Sequence, residues 1–185
     1  MASQGPLNPT AASQDSSGTV SWSTPTGIEG ISTFATQSEP QSTSNTTNKL
    51  IGTGFGFAIP AGTINGITVS YDATVSSTVS YTNEPVQIQL LKASAAVGTP
   101  KTDTNNWTTS VVTYTYGGVS DLWGTTWSAS DINGSGFGFQ INDVPDHGAT
   151  GLVGRVQSVQ NYKITVTYTA AAAHSPTSQS FTFGF

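Results

Sequence analysis

From Ile67 to Val75 the chain alternates strictly, with Ile67, Val69, Tyr71, Ala73 and Val75 apolar and Thr68, Ser70, Asp72 and Thr74 polar. A period of two puts one set on each side of an extended backbone, so this stretch predicts a strand with one face inward and one wet. Tyr162, Ile164, Val166 and Tyr168 repeat the pattern against Lys163, Thr165, Thr167 and Thr169. Val86, Ile88 and Leu90 predict a third inward row, and residues 111–116 a fourth strand, rich in β-branched and aromatic side chains. Residues 50–59 predict another strand. Ile51, Thr53, Phe55, Phe57 and Ile59 share one of its faces, and Gly52, Gly54, Gly56 and Ala58 the other. A face stripped of side chains implies that something packs very closely against it. Residues 19–23 around Trp22, and a segment anchored by Ile28, Ile31 and Phe34, predict two shorter strands at the start.

Residues 116–141 organise the rest. Gly117 and Gly118 mark a turn. Leu122, Trp123 and Trp127 then load a connecting segment with apolar surface, worth roughly 1.5–3 kcal/mol for each such side chain buried. Ser130 and Asp131 can cap a short helical turn with Ile132 tucked inward. Phe137, Phe139 and Ile141 next share one face of a strand, with Gly138 and Gln140 on the other. The segment reads as a buried crossover that ends one strand and launches the next. Polar connections are expected over 37–48, 76–84, 93–106 and 142–154. About eight strands joined by turns, with no substantial helix, predict an all-β, two-sheet, jelly-roll-like sandwich. It occupies residues 19–169, between an N-terminal arm over 1–18 and a C-terminal arm over 170–185.

Composition narrows the function. Charged residues make up 8% of the 185, and the net charge is −5. A sequence-independent hold on nucleic acid is therefore not expected. There is no Cys, hence no disulfide staple and no thiolate metal site. The N-terminus has no basic region followed by an apolar run, and no stretch is long enough to span a membrane. The expectation is an unprocessed, cytosolically made product with no membrane partner.

Several motifs together resemble a known family. Gly54-Phe55-Gly56-Phe57-Ala58-Ile59-Pro60 leads into residues 61–69, and Leu90-Leu91-Lys92 is followed by Val97-Gly98. Then come Tyr116-Gly117-Gly118, Asp121-Leu122-Trp123-Gly124, Trp127, Asp131-Ile132-Asn133, Phe137-Gly138 and Ile164-Thr165-Val166-Thr167-Tyr168. Over residues 48–169 this combination resembles a jelly-roll-type β-sandwich of tailed-bacteriophage structural proteins. The resemblance implies a non-enzymatic virion protein without a cofactor, partnered by other virion proteins and by copies of itself. A head decoration or capsid-associated role, attached through the arms, is the first expectation. A carbohydrate- or receptor-binding module of a tail or fibre, with a host glycan as partner, is the alternative.

Few residues suggest chemistry. Asp121 and Asp131 can be read as paired carboxylates or calcium ligands, but each sits where it can bond nearby backbone N–H groups, which favours turn and cap roles. His147 and His174 lack neighbours at metal or triad spacing. No Ser lies in a nucleophile elbow. No metal site and no catalytic residue are therefore expected. Trp123 and Trp127 belong to the core, whereas Trp107, in a polar setting, is the candidate exposed aromatic for stacking on a sugar. Phe181, Phe183 and Phe185 alternate in the tail and would lie on one side of a strand. They are the candidate partner-binding residues of an arm added to a neighbour's sheet edge.

Overall fold

The computed structural model describes residues 1–38, 46–77, 86–105, 107–142 and 155–172. These form two antiparallel sheets facing each other. The strands are β1 (Ala2–Leu7), β2 (Ala11–Gln14), β3 (Ala35–Ser38), β4 (Leu50–Thr53), β5 (Gly62–Val75), β6 (Val86–Lys92), β7 (Ala95–Asp103), β8 (Val112–Gly117), β9 (Gly138–Asn142) and β10 (Val156–Ala170). The first sheet runs β1-β10-β5-β8, with β3 also paired to β10, and the second runs β2-β4-β9-β6-β7. The chain is an all-β sandwich, as its alternation predicts.

The two strongest alternating segments become the two longest strands. β5 has 14 residues and β10 has 15, and they pair from Val75–Gln157 to Gly62–Ala170. Ile67, Val69, Tyr71, Ala73 and Val75 all face the core, as do Ile164 and Val166. Against them the second sheet places Leu50, Ile88, Leu90, Phe139 and Ile141. Phe139 stacks on Tyr162 with ring centroids 4.1 Å apart, which joins the two sheets at their middle. The Tyr162 hydroxyl then donates to the Leu50 carbonyl at 3.2 Å.

The N-terminal residues are not an arm outside the sandwich. β1 pairs with β10 and β2 pairs with β4, so residues 2–14 contribute one strand to each sheet. Asn8 holds the crossing between them by donating to Asn161 Oδ1 at 3.0 Å and to the Tyr162 carbonyl at 2.9 Å. The polar composition misleads because an edge strand needs backbone bonds more than apolar side chains.

Other boundaries shift for local reasons. Residues 95–103, expected within a polar loop, form β7 against β6. Their exposed residues are mainly small or turn-forming, Ala95, Ala96, Gly98 and Pro100, with two threonines, so no apolar alternation marks the strand. The strand expected over 50–59 stops at Thr53, because Gly54 (φ +72°) and Gly56 (φ +69°) turn the backbone out of the sheet. Phe55, Phe57 and Ile59 remain buried beyond that exit. The close approach expected on the glycine side occurs at Gly52, where a Cβ would lie 2.9 Å from the Tyr162 ring. Ile28 is buried in a 3-10 turn over Pro25–Glu29, not in a strand, while Ile31 is 71% exposed. The C-terminal arm from residue 173, with Phe181, Phe183 and Phe185, lies outside the described residues, as do His147 and His174.

Candidate functional site

The crossover over residues 116–141 is docked on the β6–β7 hairpin, and the seam between them holds the site. Trp123 is 1% exposed and donates from Nε1 to the Ile67 carbonyl at 2.9 Å. Trp127 is also buried and donates to the Leu122 carbonyl at 3.0 Å. Both tryptophans are core, as their apolar setting predicts.

Each tryptophan lies beneath a lysine of the hairpin. Lys92 Nζ sits 4.9 Å from the Trp127 ring centroid and 3.1 Å from Asp131 Oδ2. Lys101 Nζ sits 4.9 Å from the Trp123 ring centroid and 2.6 Å from Asp121 Oδ2. The aromatic faces attract the ammonium groups and the carboxylates neutralise them. Backbone bonds complete the seam, from Ser94 to Gly136 at 2.8 Å and from Thr99 to Trp123 at 2.7 Å.

Asp121 and Asp131 are turn and cap residues. Asp121 Oδ1 accepts the Trp123 amide at 2.8 Å. Asp131 is the third residue of a capping box whose N-cap is Ser128, so the cap lies two residues before the expected Ser130. The short helix α1, Ala129–Asn133, buries Ile132 beneath it. Burial alone would raise both carboxyl pKa values. Bonds from Lys101 and the Trp123 amide at Asp121, and from Ser128 and Lys92 at Asp131, outweigh it and hold both below 3.8.

A cleft of about 390 Å³ opens between the hairpin tip and α1, lined by Lys92, Ala93, Ser94, Ser130, Asp131 and residues 134–136. Ala93 (φ +48°) and Ser94 (φ +65°) form the hairpin turn in left-handed conformations that non-glycine residues rarely hold. The described bonds of Asp131 run through Oδ2, so Oδ1 is a free acceptor among the described residues. Ser94, Ser130 and Ser135 add exposed hydroxyls. The set offers one neutralised charge pair and several donors and acceptors, and among the described residues it has neither a second free base nor an activated nucleophile beside them.

Trp107 does not serve as an exposed platform. It is 1% exposed, packed against Tyr71 and Tyr114. Its polar neighbours in sequence mislead because they include Asp103, a buried carboxylate that no motif in the sequence marks. Asp103 Oδ2 accepts from the Tyr71 hydroxyl at 2.8 Å and from Trp107 Nε1 at 3.4 Å, and Oδ1 accepts from the Asn105 backbone at 2.8 Å. Burial, followed by the charge of Asp103, pushes the Tyr71 hydroxyl well above its ordinary pKa. No periodicity signals this cluster, since it joins β5, β7 and the loop after β7.

No family model matches the chain, and no curated protein matches it. Its structure is similar to a family 4 carbohydrate-binding module at 15% identity and TM-score 0.41, covering 83% of this chain and 91% of that one. It is similar to the family 11 carbohydrate-binding module of the Clostridium thermocellum cellulase Lic26A-Cel5E at 14% identity and TM-score 0.42, covering 92% and 94%. It is also similar to part of the bacteriophage CBA120 tailspike protein 4 at 12% identity and TM-score 0.43, covering 86% of this chain but 19% of that one.

Proposed function

We propose that this chain is a non-enzymatic β-sandwich module that binds a neutral glycan in the cleft between the β6–β7 hairpin and α1. The carrying observation is the make-up of that cleft: Asp131 with a free Oδ1, three seryl hydroxyls, and a lysine whose charge is already neutralised. Sugar hydroxyls both donate and accept, and such a lining answers both needs without a net charge that would select an ion. The volume is within the range of small-ligand sites, roughly 300–1,000 Å³. Rigid walls help, because the hairpin turn and the capped helix are fixed before any ligand arrives.

Recognition in this reading is polar, since Trp22, Trp107, Trp123 and Trp127 are all buried. Taken with the sequence resemblance to phage structural proteins, it favours a receptor-contacting tail or fibre component of a virion. A head decoration protein held by two arms fits less well, because residues 2–14 belong to the sheets.

The test is a glycan array followed by calorimetry on the full chain. Gly134→Trp fills the cleft at a position where a Cβ meets nothing closer than 3.4 Å. The expected result is binding to a neutral oligosaccharide that falls about tenfold or more in the variant, a loss of roughly 1.4 kcal/mol, at an unchanged melting temperature. Binding that survives the filled cleft would move the site elsewhere, and an array with no bound glycan would overturn the function.

A further inference from the structure

We propose that β8 is an interaction edge and that its partner is a second copy of this chain, added strand to strand. β8 ends the first sheet, so one side of its backbone has no neighbour among the described strands. An open edge is a template for pairing, and proteins blunt edges they do not use with Pro, Lys, bulges or short length.

The other described edges carry such devices. β7 contains Pro100, Lys101 and Gly98 at φ +71°. β1 contains Pro6 and shifts register between Gln4 and Leu7. β2 and β3 have four residues each, and β3 is covered by Ser23, which exchanges backbone bonds with Thr36. β8 has no such device within its span: its register against β5 is unbroken, and its positive-φ glycine, Gly117 (φ +80°), is its last residue. Its six residues, Val112–Gly117, include no Pro and no charge, and all but the last are β-branched or aromatic.

Its exposure is also apolar. Val111 is 50% exposed and Val112 37%, two of the five exposed large hydrophobics among the described residues. Isolated apolar side chains at a surface are ordinary, whereas two adjacent ones at the start of an open, uncharged edge suit a strand-to-strand contact.

Neutrality permits a second copy as the partner, and self-complementarity favours it over an unrelated strand. The chain carries a net charge of −5, so two copies carry like net charge. From Thr104 to Ser120 there is no charged residue, and within this window identical surfaces meet without like charges opposed. The strand is also self-complementary when antiparallel. In a pairing centred on Tyr114, Thr113 opposes Thr115 and Val112 opposes Tyr116. Hydroxyl–hydroxyl and aromatic–β-branched pairs both stabilise a ladder. The result is a two-fold dimer in which two first sheets become one.

A single strand pair lies at the small end of interfaces, so the association is weak, with a dissociation constant between about 10 µM and 1 mM. Sedimentation velocity of the full chain across that range should show a monomer–dimer equilibrium. Val111→Lys with Thr115→Lys should abolish it at an unchanged melting temperature. Val111→Lys alone, at a half-exposed position outside the strand, should weaken it several-fold and serves if the double variant melts early. A chain that stays monomeric throughout, or lysine variants that dimerise normally, would overturn the proposal. So would a full-length Phe181→Ser, Phe183→Ser, Phe185→Ser variant that is monomeric, because the tail and not β8 would then be the partner strand. Dimerisation of that variant supports β8–β8 pairing.

Discussion

Asp103 shows how much a single buried carboxylate can organise. It is 1% exposed and collects donors from Tyr71, Trp107 and Asn105, so it ties β7 to β5 across the sandwich. Tyr71→Phe removes one charge-assisted bond and should cost about 1.5–3 kcal/mol in chemical denaturation. Asp15, Asp121 and Asp131 act at the surface instead. Burial raises each pKa, but hydrogen bonds and the neighbouring lysine hold it below 3.8. A carboxyl depressed in the folded state contributes stability above its unfolded value and loses it as pH falls through the folded value. The melting temperature should therefore drop below about pH 4. Asp131→Asn should be less stable at neutral pH, by less than about 1 kcal/mol for a partly exposed pair, and its acid slope should be shallower. An unchanged slope in that variant would show that Asp131 does not contribute to acid sensitivity.

At the scale of elements, the crossover and the β6–β7 hairpin stabilise each other. Trp123 fills the interface, and its Nε1 bond reaches across to β5. Trp123→Ala should cost about 3–5 kcal/mol, the range for large aromatic truncations, measured by urea unfolding. A melting temperature equal to that of the parent would refute the docking. Strand contact between β4 and β9 is equally tight. Gly138 pairs with Thr53, and a Cβ there would collide with the Gly52 carbonyl. Gly138→Ala should push β4 and β9 apart and lower the melting temperature, whereas Gly134→Ala, which meets only ordinary contacts, should not.

Across the whole molecule, residues 2–14 hold both sheets. β1 covers the β10 edge and β2 covers the β4 edge. Removing them would expose two strand edges and leave Asn161 without Asn8. A chain beginning at Asp15 should therefore be markedly less stable and prone to aggregate, as open edges are. Equal stability with and without the segment, by thermal unfolding, would restore it to the status of an arm. The cleft and the β8 edge are built from different elements, the hairpin tip with α1 in one case and the last strand of the first sheet in the other. Glycan binding and self-association should accordingly be separable by Gly134→Trp and Val111→Lys.

The strands with strict alternation, β5, β6 and β10, were legible from the sequence alone, as was the burial of Trp123 and Trp127. Their side-chain period encodes which face is dry, and that information is local. The all-β sandwich class follows from the same local signal repeated along the chain. Tertiary structure decided what periodicity cannot carry. β1, β2 and β7 are strands because a neighbouring edge offers backbone partners, and polar or alternation-free sequences satisfy such an edge as well as apolar ones. Trp107 is buried because Tyr71 and Asp103, distant in sequence from one another, converge on it. The cleft likewise needs Lys92 beside Asp131 and Ser94 beside Gly136. Those pairings depend on how a hairpin and a crossover dock, and contact energy between segments far apart in sequence leaves no period to read.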